Sequence, residues 1–115
     1  MTLFAISFVA NALITFAVSF GIWQDQPGMT DAYGPDSPAR RILMCVYLAI
    51  GLVSLYALSQ MGLGRMELAR TIGLTLFPLQ ILYKLLTVWA VSPQHPVVIA
   101  NICVVVLLAV TLALD

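Results

Sequence analysis

The sequence predicts an all-α integral membrane protein, a bundle of four transmembrane helices with no soluble domain. Of its 115 residues, 62% are hydrophobic and only 9% are charged. Soluble domains carry about 25% charged residues, and disordered chains combine low hydrophobicity with high charge, so both classes are excluded. Because a span needs about 20 apolar residues, four spans occupy most of the chain. We therefore expect residues 1–115 to form a single membrane domain.

The first predicted span covers about residues 2–23, which form a long apolar run. No basic residue precedes this run, and the run is longer than the apolar core of a signal peptide, so we interpret it as a retained span. A polar loop follows over residues 24–40. Its Pro-Gly and Gly-Pro dipeptides predict turns here instead of a helix.

The second predicted span covers about residues 41–61. Asp36 or Ser37 is expected to cap the start of its helix, with Pro38 in the first turn. A short turn that contains glycine leads to the third span, about residues 68–91, so these two spans are expected to form an antiparallel hairpin. The first two spans are joined by a longer loop, and we expect a looser contact between them.

Pro78 lies inside the third span and predicts a kink there, because proline lacks an N–H and its ring disturbs the preceding turn. A short loop over residues 92–96 leads into the fourth span, about residues 97–114. Trp23 and Trp89 fall near the same membrane face, where amphipathic rings are enriched.

Four spans place both termini on one membrane face, here named side A, together with the turn between spans two and three. The 24–40 loop and the 92–96 loop then lie on the opposite face, side B. Positive charge should mark the cytoplasmic face, but each side has two arginines. The terminal amine favours side A as cytoplasmic, in a plasma membrane or a bacterial inner membrane. The arginines are Arg65 and Arg70 on side A and Arg40 and Arg41 on side B.

Small polar residues recur at every fourth position of the first span, so they share one face of its helix. Such residues let helices approach closely and hydrogen-bond across the contact. We expect this row to be a helix-packing seam, with the polar wall of a ligand cavity as the alternative. The row consists of Ser7, Asn11, Thr15 and Ser19.

The third span carries polar side chains at spacings of three and four residues, which places them on one helical face. Asn11 in the first span is expected at the depth of Gln80, near the centre of the membrane. Asn101 in the fourth span is expected at the depth of Lys84, nearer side B. If these three spans share an interior, the polar residues form one cluster that contacts a ligand or another subunit. The candidate residues are Lys84, Tyr83, Gln80, Thr87, Asn11 and Asn101.

Lys84 is the only charged residue well inside a predicted span. A lysine at the centre of a span costs about 2.5–3.5 kcal/mol, so it needs a partner or a route to the surface. Its long side chain is expected to reach toward side B or to pair with an aspartate of the 24–40 loop. The alternatives are an anionic or carbonyl-bearing lipophilic ligand, or a salt bridge to another subunit.

No residue pattern predicts catalysis, a metal site or a cofactor. Cys45 and Cys103 lie inside apolar runs without a Cys-x-x-Cys motif, and we expect two small buried hydrophobic residues. His95 is the single histidine and lies in a loop, so it is expected to be a surface residue. The motifs of metalloproteases, serine hydrolases and P-loop enzymes are missing.

The length and the four-span plan resemble the small multidrug-resistance transporters. That family depends on a glutamate in its first span, whereas the first span here has no acidic residue, and Asn11 cannot exchange a proton. Fluoride channels and vitamin K epoxide reductases are also small four-helix bundles, but their signature motifs are not evident. The sequence therefore assigns the chain to none of these families.

Five basic residues balance five acidic ones, so the charge indicates no nucleic-acid partner. We expect contact with the lipid bilayer and with other membrane subunits or further copies of this chain. The favoured hypothesis is a non-catalytic accessory or assembly subunit of a larger membrane complex. The alternatives are a binder or carrier of a lipophilic small molecule on the polar face of span three, and a small transporter or membrane enzyme that depends on Lys84.

Overall fold

The computed structural model describes residues 1–115 and is entirely helical apart from turns and loops. Four helices of 19 to 25 residues are long and apolar enough to cross a membrane. This confirms the predicted all-α, multi-pass fold. The helices are α1 (Thr2–Trp23), α2 (Met29–Tyr33), α3 (Pro38–Gly62), α4 (Met66–Ala90) and α5 (Pro96–Leu114).

The short helix α2 corrects the expectation of a loop without helix over residues 24–40. Gly28 and Gly34 flank it with φ angles of 90° and 85°, which glycine adopts without steric cost, so one helical turn fits between the two turn dipeptides. The predicted cap of the next helix is confirmed, since the Ser37 side chain accepts a hydrogen bond from the Arg40 main-chain N–H at 3.1 Å.

Helices α1 and α3 form the most extensive contact in the bundle, contrary to the looser contact expected from their long loop. Gly51 on α3 is the physical reason. It has no side chain, so Thr15 and Phe16 of α1 lie directly against its backbone. Around the bundle the helices follow the order α1, α3, α4, α5, with α5 returning to α1.

The apolar core lies in the half of the bundle nearer side A. Phe4 and Phe8 of α1 pack against Phe77 of α4, with ring centroids 5.6 Å and 4.9 Å from the Phe77 centroid. Ala57 of α3 and Val104 and Leu108 of α5 complete the cluster of six buried residues. This aromatic cluster closes the bundle at side A.

We predict that Gly51→Ala destabilises the α1–α3 contact by about 1–3 kcal/mol, because overpacking a close contact forces neighbours to shift. A Cβ atom at this position would lie 2.5 Å from Thr15 Oγ1 and 3.1 Å from the Phe16 ring. Unfolding in detergent micelles measures the change. Gly62→Ala is the matched control in α3, since its Cβ would meet no atom within 4 Å. Equal stability of the two variants would contradict the prediction.

Candidate functional site

The interior of the bundle is unusually polar. Of 26 buried residues, 11 are polar or charged, whereas many large apolar side chains are exposed on the outer surface. This distribution suits a protein in lipid, where polar groups have no water to bond and must find partners inside the protein. The buried polar residues are Ser7, Asn11, Thr15, Ser19, Arg40, Ser54, Gln60, Gln80, Lys84, Asn101 and Thr111.

All four residues of the polar row on α1 are buried, and the row faces three different helices. Ser7 Oγ hydrogen-bonds to Thr111 Oγ1 of α5 at 2.6 Å. Ser19 Oγ donates to the main-chain oxygen of Met44 in α3 at 3.3 Å, and Thr15 lies against α3 at Gly51. The row therefore forms the face of α1 that packs against the other helices.

Asn11 and Gln80 form a reciprocal pair of amides between α1 and α4. Asn11 Nδ2 donates to Gln80 Oε1 at 2.7 Å, and Gln80 Nε2 donates to Asn11 Oδ1 at 3.2 Å. Both side chains are almost completely buried. Each amide donates one N–H to the oxygen of the other, so this pair links the two helices.

Lys84 lies one helical turn nearer side B and forms a second polar cluster with α5. Its Nζ donates to Asn101 Oδ1 at 3.0 Å, and Asn101 Nδ2 donates to Thr87 Oγ1 at 3.4 Å. The ammonium group also lies 5.0 Å from the centroid of the Tyr83 ring. The structure thus divides the six candidate residues into an Asn11–Gln80 pair and a group around Lys84.

Lys84 forms no ion pair, which corrects the expectation that a loop aspartate or the side-B surface receives its charge. Asp25 pairs with Arg40 at 2.9 Å and Asp36 with Arg41 at 3.0 Å. Lys84 itself is only 6% exposed. An ammonium group has three donors, and one protein oxygen accepts from it here, so it can donate to further acceptors.

A cavity of ≈ 520 Å³ opens beside Lys84, between α1 and α5. Its volume falls within the range of about 300–1,000 Å³ that small-molecule sites occupy. The Ser7–Thr111 bond joins the two helices near side A, and they diverge toward side B. Ile14 of α1 and Cys103 of α5 line the cavity and are also exposed, so it opens sideways toward lipid.

A second cavity of ≈ 220 Å³ lies between α3, α4 and α5. Tyr83, Thr87 and His95 contribute its polar lining, and the buried hydroxyl of Tyr83 has no hydrogen-bond partner. Three residues line both cavities and form the boundary between them. These residues are Tyr47, Val97 and Asn101.

The 24–40 segment covers both cavities at side B. Ala32 of α2 lines the smaller cavity, and Tyr33 lines the larger one. The Tyr33 ring meets the Tyr47 ring edge-on, with centroids 6.1 Å apart, and burial raises the pKa of the Tyr33 hydroxyl. Arg40 donates to Asp25, near the start of the segment, and to the main-chain oxygen of Gly34, which follows α2.

Sequence reasoning did not identify Tyr33 and Tyr47 as residues of the site, because aromatic residues are typical of both lipid-facing and buried positions. Their neighbourhood depends on how the 24–40 segment folds back. The cysteines also differ from expectation: Cys45 and Cys103 are exposed, since their helix faces point outward. His95 caps α5, where its Nδ1 accepts from the Val97 N–H at 3.2 Å.

The fold defines the chain as an all-α multi-pass membrane protein, with a cavity that opens between helices beside an unpaired lysine. No protein-family model, curated protein or solved structure matches the chain. The functional argument therefore rests on the geometry of the site.

We predict that Asn11→Leu destabilises the bundle by about 1–3 kcal/mol, because it leaves the Gln80 amide buried without a partner. Adding Gln80→Leu is expected to cost less than the sum of the single changes, with a coupling energy of about 1 kcal/mol. Unfolding in mixed micelles measures all four proteins. The control cycle combines Asn11→Leu with Thr71→Val, an exposed site on α4, and should be additive. Additivity of the first cycle would show that the amides are not coupled.

The ion pair at the side-B surface is expected to respond to acid. The hydrogen bond from Arg41 lowers the pKa of Asp36. Because this pKa is lowered, the pair contributes its full stability at pH values above the usual aspartate pKa. This contribution is lost as the pH falls through the lowered Asp36 pKa. We predict that Arg41→Gln raises the Asp36 pKa toward its ordinary value, as followed by carboxyl NMR. Arg65→Gln on side A is the control and should leave it unchanged.

Proposed function

We propose that this protein binds a lipophilic small molecule in the larger cavity, where Lys84 holds a carboxylate or carbonyl oxygen of the ligand. The observation that carries the proposal is a buried ammonium group without a counter-ion on the wall of a cavity that opens toward lipid. Apolar cavities with a few convergent polar groups are typical of small-molecule sites.

The cavity wall suits an amphiphile with one polar end. Its lining is mostly apolar, and its polar side chains include Lys84 of α4 and Asn101 of α5, which are hydrogen-bonded to each other. Lys84 has donors to spare, whereas the Asn101 amide orients the ammonium group toward the cavity boundary. A ligand that entered from the bilayer would leave its apolar part between α1 and α5 and bring its oxygen to Lys84.

A negative charge also has an electrostatic reason to bind here. Asp25 and Asp36 of the 24–40 segment pair with arginines, Asp115 pairs with the terminal amine, and no carboxylate pairs with Lys84. Charge interactions are stronger in a medium of low dielectric constant than in water. An anionic or strongly polarised oxygen would therefore compensate the buried charge, and a cationic or purely hydrocarbon molecule would not.

The test measures binding of oleate to the whole protein in phosphatidylcholine nanodiscs, by native mass spectrometry. We predict that Lys84→Met weakens oleate binding about 10- to 150-fold, because a hydrogen bond to a charged group contributes about 1.5–3 kcal/mol. Lys84 is the single lysine of the chain, so the change removes a unique group. Oleylamine, with the same chain and a cationic head, is expected to bind neither protein.

Arg65→Met is the matched control, since it removes a positive charge at the opposite membrane face and should leave oleate binding unchanged. Thermal unfolding of each variant verifies that the bundle still forms. Equal affinity of the wild type and Lys84→Met for oleate would overturn the proposal, and so would a wild type that does not bind oleate.

The accessory-subunit hypothesis stays a prediction, as do a transport or catalytic role and the cytoplasmic position of side A. Exposed apolar residues on all four long helices suit contact with lipid as well as with partner subunits. Purification from native membranes in mild detergent separates these hypotheses. If the wild type is recovered within a large complex and the Lys84→Met variant is not, the accessory role is favoured. If the protein is recovered alone with a bound lipophilic molecule, ligand binding is favoured.

A further inference from the structure

The hydroxyl of Tyr83 is a buried donor that the protein itself does not use. Its oxygen is inaccessible to solvent and has no hydrogen-bond partner. Burying an unpaired hydroxyl is unfavourable, and each such group in a folded protein calls for an explanation. The neighbouring polar groups of Lys84, Thr87 and Asn101 all have partners, so Tyr83 is the exception within this cluster.

Tyr83 and Lys84 are consecutive residues of α4 that line different cavities. Lys84 lines the larger cavity, and Tyr83 lines the smaller one. Since Lys84 Nζ lies 5.0 Å from the centroid of the Tyr83 ring, both donors belong to one small region. The two cavities meet at Asn101, whose side chain lines both.

The Asn101 side chain lies at the boundary between the two cavities. It accepts from Lys84 at 3.0 Å, but its bond to Thr87 is long, at 3.4 Å. Hydrogen bonds of this length are weak. A ligand oxygen that replaced Asn101 as the acceptor of Lys84 would free the amide to turn and would place the ligand head between the cavities.

We propose that Tyr83 is a second binding residue, whose hydroxyl donates to a second acceptor on the head of the ligand bound at Lys84. The ligand class is then an amphiphile with two acceptor groups close together, such as a carboxylate with a neighbouring hydroxyl oxygen. The ligand satisfies the hydroxyl that the protein leaves unpaired. This inference rests on the proposed function and adds the composition of the head group to it.

The experiment compares two probes that differ in one oxygen, oleate and 2-hydroxyoleate, with the whole protein in phosphatidylcholine nanodiscs. The wild type is expected to bind 2-hydroxyoleate about tenfold more tightly than oleate, the effect of one additional hydrogen bond. Tyr83→Phe is expected to abolish this preference, because it removes the second donor. Lys84→Met should weaken binding of both probes.

Stability separates a binding role from a structural one. Because the Tyr83 hydroxyl has no partner in the protein, Tyr83→Phe should leave the melting temperature unchanged or raise it. Tyr56→Phe is the matched control, an exposed tyrosine of α3, and should keep the preference for 2-hydroxyoleate.

The results distinguish this inference from the proposed function. If oleate binds through Lys84 but the wild type shows no preference for 2-hydroxyoleate, the second contact is wrong and the proposed function stands. A preference that survives Tyr83→Phe also overturns the inference, as does a lower melting temperature of that variant. If neither probe binds the wild type, both the inference and the proposed function fail.

Discussion

The satisfaction of polar groups inside a bilayer governs this structure. In lipid, an amide or hydroxyl that turns outward loses its hydrogen bonds, so polar side chains gather between the helices and apolar ones face out. Asn11 and Gln80 meet this condition with a reciprocal pair of hydrogen bonds between their side-chain amides. Lys84 and Tyr83 do not meet it. Lys84 lacks a counter-ion, and the Tyr83 hydroxyl lacks a hydrogen-bond partner. The functional proposals follow from these two departures.

Side-chain packing in the interior differs between the two ends of the bundle. Near side A, three phenylalanines and small residues fill the space between the helices, and Ser7 bonds across to Thr111. Near side B, α1 and α5 separate, and the interior contains cavities in place of side chains. A tightly packed half can hold the helices in position while an open half admits a ligand. The proposed binding site therefore lies in the half of the bundle that the apolar core does not fill.

The 24–40 segment links the aqueous surface to this open half. Arg40 donates hydrogen bonds to Asp25 and Gly34 of this segment, and Ala32 and Tyr33 line the two cavities. The segment leaves the sideways opening toward lipid uncovered, so the geometry favours exchange with the bilayer. A ligand that resides in the membrane is consistent with such an opening. The polar head group then lies close to side B, where the protein supplies its donors.

The sequence by itself determined the class of fold, because the free energy of placing apolar segments in lipid depends on composition and length alone. It also indicated the polar row on α1 and the face that contains Lys84, since helical periodicity is local. Only the tertiary structure decided which residues meet. Gly51 brought α1 against α3 despite a long loop, and the two aspartates paired with arginines instead of Lys84. The cavities and the unpaired Tyr83 hydroxyl depend on the relative positions of several helices, which no local pattern encodes.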